Sequence, residues 1–139
     1  MNAVLNVELR ERRGLVYTVE ASATHYVGAT LATVYYGCDP DDDSECLRLT
    51  LKTLRRYATE PMDENELQAA RRQFIGQTIV AGDNTAERIT SIARATLLYG
   101  RATSPEEMAA TVNSLTAAEL QAIAAEISSG LSRLTYRPR

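Results

Sequence analysis

His25, Cys38 and Cys46 are the side chains of this 139-residue sequence with the widest chemical reach. An imidazole can move protons, and an imidazole with two thiolates can hold zinc. Their spacing supports neither use. No C-x-x-C, H-E-x-x-H or H-x-x-E-H occurs, so a zinc site in this chain would need an unfamiliar arrangement. No G-x-S-x-G elbow presents a serine, and His25 alone would have to act as its base. The run Asp39-Pro40-Asp41-Asp42-Asp43 suggests a calcium loop until its positions are counted. The sixth residue is Ser44 where glycine must turn the loop, and the twelfth is Thr50 where glutamate must close it. The run is read instead as the first turn of a helix, where carboxylates favour the free backbone N–H groups and the dipole. Cys38 and Cys46 are expected as buried free thiols, which suit a reducing compartment such as the cytoplasm. The residues therefore predict no catalytic group, metal site or cofactor within this chain.

One segment keeps two functional side chains close in sequence. In L-R-E-R-R-G-L-V-Y-T-V, residues 9–19, Arg10 precedes Tyr17 by seven positions across a helix-to-strand turn. Packing explains either residue alone: Tyr17 as a half-buried sheet position, Arg10 as a solvated stem.

The elements around that turn follow from periodicity. Residues 2–12 carry Val4 or Leu5 and Leu9 at helical spacing and stop at Gly14. Leu15 to Ser22 alternates, with Leu15, Tyr17, Val19 and Ala21 on one side and Val16, Thr18, Glu20 and Ser22 on the other. A polar interval, Thr24 to Tyr26, separates this strand from a second one over Val27 to Tyr36, and the pair predicts an antiparallel hairpin. After Gly37 the period becomes helical, with Asp39 as N-cap, Pro40 at the first helical position and a stripe of Leu47, Leu51, Leu54 and Ala58. Asp63 and Glu66 have capping-box spacing, opening a helix whose stripe is Leu67, Ala70, Phe74, Thr78 and Ala81. A helix over Ala86 to Tyr99, on Ile89, Ile92, Ala93 and Leu97, ends at Gly100. Ser104 with Glu107 and Thr116 with Glu119 are capping boxes for two more helices. Leu131 to Tyr136 predicts a short final strand.

This order gives an α+β fold, helices packed on an antiparallel sheet, in a single domain over residues 1–139. Three strands leave a long open edge, so part of the sheet is expected to be missing, and the isolated chain is expected to self-associate through that edge as a homo-oligomer. Hydrophobic residues at 45% and charged residues at 24% fit an ordinary globular chain. No apolar run reaches the roughly 20 residues that span a bilayer, so no membrane partner is predicted. A net charge of −3 lacks the basic face that phosphate contacts need, so no nucleic acid is predicted either. Residues 1–20 show no charged n-region followed by an apolar h-region, so no signal peptide is read in them. The paired arginines at 12–13, 55–56 and 71–72 are read as solvated faces.

The segment 9–19 resembles the arginine-tyrosine motif in the C-terminal domains of the pitrilysin/insulinase family of zinc peptidases, which includes mitochondrial processing peptidase and its bacterial relatives. The likeness continues in order along the chain. Tyr36-Gly37 is similar to the end of that family's second strand, and a helix opened by D-P follows. Glu66, Leu67, Ala70, Arg71, Gln73, Gly76 and Gln77 resemble its E-L-x-x-A-[RK]-x-Q-x-x-G-Q pattern. Leu97 to Gly100, Thr116 to Leu120 and Leu131 to Tyr136 resemble its later segments. The resemblance implies a truncated C-terminal domain, with Met1 an internal methionine. It implies a peptide substrate and a partner: an N-terminal zinc-bearing domain or a separate subunit carrying H-x-x-E-H. It implies that Arg10 and Tyr17 bind substrate and support the transition state as hydrogen-bond donors. It also permits a catalytically silent homologue that serves as a binding or assembly module.

Overall fold

The computed structural model describes residues 2–136, with side chains over residues 4–136. The described chain divides into two compact units, one formed by the residues up to Glu60 with those from Gln121 onward, the other by Pro61–Leu120.

In the first unit the chain starts as helix α1 (Asn2–Leu5) and widens into a π-helical stretch (Asn6–Glu11). The wider winding shows in the Arg12 N–H, which donates five residues back to the Val7 carbonyl at 2.9 Å. Leu5 and Leu9 are fully buried on one face of this segment. The turn that follows is tight. Gly14 adopts φ +65°, which only glycine takes without strain, and the Leu15 N–H donates to the Leu9 carbonyl at 2.9 Å.

Strands β1 (Val16–Tyr26) and β2 (Ala29–Cys38) form a two-stranded antiparallel sheet; β1 runs past the predicted end at Ser22, and β2 has the predicted length but starts and ends two residues later than Val27 to Tyr36. The interval Thr24 to Tyr26 is strand, and His25 sits inside β1 opposite Thr30. The turn is only Val27-Gly28, with Gly28 at φ +79° in its second position, the sign pattern of a type II turn. A bulge between Val16 and Thr18 changes the faces near the start of β1. Val16 therefore joins Val19 and Ala21 on the inner face, and Tyr17, expected beside them, turns outward.

The final strand expected at Leu131 to Tyr136 does not form; these residues pair with no strand. A strand needs a ladder partner, and local sequence pattern cannot supply one. The segment is fixed instead by Arg133, whose Nη2 lies 2.6 Å from Asp43 Oδ2.

Helix α2 (Asp43–Thr59) starts later than the Asp39 cap implied. Pro40 occupies the second position of a turn closed by the Asp42 N–H on the Asp39 carbonyl at 3.1 Å, and helical bonding begins with the Cys46 N–H on the Asp42 carbonyl at 2.9 Å. Its buried face is Cys46, Leu49, Thr50, Thr53, Leu54 and Tyr57, rotated from the expected Leu47, Leu51, Leu54 and Ala58. Thr53 is tolerated there because its hydroxyl donates to the Leu49 carbonyl at 3.0 Å. Leu5, Leu9, Val16, Cys46 and Leu49 form the core, with Val19, Ala21, Val34, Tyr36 and Cys38 packed against it. Helix and sheet thus meet in an α+β arrangement. At roughly 1.5–3 kcal/mol per fully buried aliphatic side chain, this cluster is the main stabilising feature of the unit.

The second unit is helical. It holds α3 (Glu64–Gly82), α4 (Thr85–Tyr99), α5 (Pro105–Ser114) and the start of α6 (Ala117–Ser129). The caps stand where the sequence places them. Asp63 Oδ1 accepts from the Glu66 N–H at 2.8 Å, Gly100 ends α4 at φ +75°, and Ser104 with Glu107 closes a reciprocal capping box. Thr116 and Glu119 exchange the same pair of bonds at 2.8 and 3.2 Å. Arg71, expected on a solvated face, is mostly buried, and its Nη2 donates to the Leu115 carbonyl at 2.5 Å beyond the end of α5.

Candidate functional site around the helix-to-strand turn

Arg10 lies in the last turn of the π-helical stretch with its side chain exposed, and its carbonyl accepts the Gly14 N–H at 3.0 Å. Its guanidinium makes no ion pair among the described residues. Tyr17, on the far side of the turn, is 68% exposed. Both side chains therefore flank one short turn and reach solvent, with no hydrogen bond between them among the described residues. The turn is rigid for local reasons: Gly14 reverses the chain, the Leu15 N–H is tied to Leu9, and Leu9 and Val16 anchor both ends in the core.

The bulge gives Tyr17 a neighbour. Val16 pairs with Cys38 and Thr18 with Gly37, so Tyr17 is the extra residue beside the end of β2. The Asp39 carboxylate raises the Tyr17 phenol pKa above its ordinary value, and desolvation and the charge of Asp42 add to the effect. Sequence reasoning missed the outward turn of Tyr17 because it depends on a bulge that no local pattern signals.

The rest of the acidic run does different work from that expected of a simple helix cap. Asp42 occupies the N-cap position without a side-chain cap bond. Asp43 is nearly buried and takes Arg133 at 2.6 Å, with the Tyr36 hydroxyl 3.5 Å from its other oxygen. Burial and the Asp43 charge push the Tyr36 pKa up to about 12, against a smaller opposing effect of Arg133.

Cys38 and Cys46 are free thiols, and Cys46 Sγ lies 3.9 Å from the Leu15 carbonyl. Burial raises both pKa values, so neither thiol is a ready nucleophile at neutral pH. His25 Nδ1 lies 3.1 Å from Thr30 Oγ1 across the hairpin, on an exposed face. Among the described residues no three His, Cys, Asp or Glu side chains are grouped to hold a metal ion. What the turn can do chemically is present a guanidinium and a phenol to an extended polar ligand.

The chain is similar to known proteins. The chain is 28% identical over 127 residues to an uncharacterized zinc protease of Streptomyces coelicolor, covering 91% of this chain and 28% of that protein. It is 28% identical over 104 residues to the mitochondrial-processing peptidase subunit beta of Dictyostelium discoideum, covering 75% of this chain and 22% of the relative. The crystal structure of a conserved protein from Enterococcus faecalis superimposes with a TM-score of 0.70 at 26% identity, over 86% of this chain and 28% of that one. The chain thus spans under a third of the length of the relatives it matches. Residues 1–74, which carry Arg10, Tyr17 and the whole hairpin, match the family model described as the peptidase M16 inactive domain, and the chain belongs to that family.

Proposed function

We propose that this chain is the C-terminal, substrate-binding part of a zinc-dependent metalloendopeptidase that hydrolyses peptides. The observation that carries the reading is the exposed pair Arg10 and Tyr17 on one anchored turn inside the matched residues. Among the described residues no His, Cys, Asp or Glu group fits zinc, and in this reading the metal is held by a zinc-bearing N-terminal domain or a partner subunit, with this chain contributing no step through it. Its own residues bind and orient. Arg10 offers charged N–H donors, and the Tyr17 hydroxyl can stabilise the oxyanion of peptide hydrolysis or hold the neighbouring backbone, most effectively where water is excluded. The unpaired outer edges of the hairpin belong to the same reading as places where a second copy of the chain can pair.

The test is peptide turnover by the parent protein, assembled with its zinc-bearing domain, after Arg10→Ala or Tyr17→Phe. Losing a charged hydrogen bond costs about 1.5–3 kcal/mol, so kcat/KM is expected to fall roughly 10- to 100-fold for Arg10→Ala and by a smaller factor for Tyr17→Phe. Unchanged turnover by both variants, with native circular dichroism and unfolding midpoint, refutes the reading.

A further inference from the structure

On the outer face of the hairpin, Tyr35 stands opposite Glu20 in the register, and Gly37 shares its face two residues on. The Tyr35 side chain leans along β2 into the space that glycine leaves open. A Cβ at position 37 would lie 3.9 Å from the Tyr35 hydroxyl and 3.5 Å from Thr18 Cγ2. The phenol has thus reached past its own partner, Glu20, to the pair formed by Thr18 and Gly37, which borders the bulge that carries Tyr17. Its ring remains open to solvent, with Tyr35 59% exposed. Of the side chains on the outer face at this end of the hairpin, only Tyr17 and Tyr35 present a large apolar surface.

Resting on the reading of Arg10 and Tyr17 as peptide-binding residues, we propose that Tyr35 is a specificity-determining residue of the same site. Its ring is the floor on which one side chain of the bound peptide lies, and it favours peptides with an aromatic or bulky aliphatic residue at that position. An extended peptide whose backbone is held at Tyr17 passes beside Thr18 and Gly37, and every second side chain of such a peptide points to one side. The absent side chain at position 37 is what lets the floor form. A methyl group fits there, since both distances are ordinary van der Waals contacts, whereas a branched side chain fills the space and stands Tyr35 away from Tyr17. An aromatic ring over a glycine also shields a strand. Shielding alone predicts a change in stability, and recognition predicts a change in which peptides are taken.

The test uses the parent protein with its zinc-bearing domain. The probes are peptides of alanine and serine in which a single phenylalanine is moved position by position, with the peptide lacking phenylalanine as reference. At one position phenylalanine should raise kcat/KM over the reference by roughly 2- to 10-fold, the range of an aromatic pair. Tyr35→Ala and Gly37→Val should each abolish that advantage and leave turnover of the reference unchanged, while Tyr35→Phe and Gly37→Ala keep it. The same peptides, labelled and read by fluorescence anisotropy, give the comparison as affinities, so a parent that hydrolyses none of them still answers the question.

The outcomes separate the two claims. A phenylalanine advantage that survives Tyr35→Ala, or that is absent at every position in the unaltered protein, overturns the role of Tyr35. An equal fall for all peptides in Tyr35→Ala, in step with a lowered unfolding midpoint, overturns it as well and leaves Tyr35 as a cover for Gly37. Should Tyr35→Ala not fold, Gly37→Val against Gly37→Ala makes the same comparison with Tyr35 in place. Failure of the underlying reading is seen elsewhere, in turnover and affinity left unchanged by both Arg10→Ala and Tyr17→Phe.

Discussion

In the unit built from the hairpin and α2, five side chains from three separate segments, Leu5, Leu9, Val16, Cys46 and Leu49, close a core. In α3 to α5 the one buried apolar side chain is Leu67, and Phe74, Ile89, Ile92 and Leu97 stay exposed although they lie at helical spacing. Yet every helix in the second unit begins or ends on a satisfied cap, whereas α2 has no side-chain bond at its N-cap. The first unit is held by packing between distant segments, and the second is specified turn by turn along its own sequence. The candidate site belongs to the first kind: Arg10 and Tyr17 are aimed by Leu9 and Val16, which are anchored in the core.

The largest expected effect tests that contrast directly. Leu9→Ala empties a fully buried position and should destabilise the first unit by about 2–5 kcal/mol in urea unfolding. Leu97→Ala, at an 86% exposed position in α4, should change stability by less than about 0.5 kcal/mol. Equal costs at the two positions would remove the distinction between a packed unit and a locally specified one.

The two units should also fail at opposite ends of the pH scale. In the first, burial holds the Tyr36 pKa at about 12 against 10.0 for the free side chain. A raised folded value means that the unfolded chain loses this proton first, so the contribution is complete below about pH 10 and disappears as pH rises through about 12. Thermal unfolding followed by near-ultraviolet circular dichroism should show a falling midpoint across this window. Tyr36→Phe should make that fall shallower. An unaltered slope in the variant would mean that Tyr36 is not linked to folding.

How much of this could be read from the sequence divides along the same line. Asp63, Gly100, Ser104 with Glu107, and Thr116 with Glu119 were all recognisable because a cap is made by residues three or four apart. The hairpin and the order of the helices followed from periodicity. The bulge at Tyr17, the Arg133 bond to Asp43 and the rotated face of α2 were not recognisable, since each is decided by residues distant in sequence. The final strand was misread for a related reason: Leu131 to Tyr136 has the composition of a strand and lacks a partner among the described residues. Arg10 and Tyr17 could be singled out only through family likeness.

The smallest effect examines the local kind of stability in isolation. At the start of α5, the Glu107 N–H donates to Ser104 Oγ at 3.2 Å, and the Ser104 N–H donates to Glu107 Oε2 at 3.0 Å. Ser104→Ala removes one of the two bonds and should cost about 1 kcal/mol, read as faster amide exchange within α5. Exchange in α2 should stay unchanged, because the first unit does not depend on this cap. The other half of the box supplies a pH test. The Ser104 backbone N–H, and then Arg101, hold the Glu107 pKa below its usual value. A depressed folded value means that the bond contributes fully above the ordinary carboxyl range and is lost as pH falls through the folded value. Protection in α5 should therefore weaken on acidification, and Glu107→Gln should flatten that dependence while α2 keeps its protection. Loss of protection in α2 alongside α5 would show that the caps act through the whole chain, and the division between packed and locally specified regions would have to be abandoned.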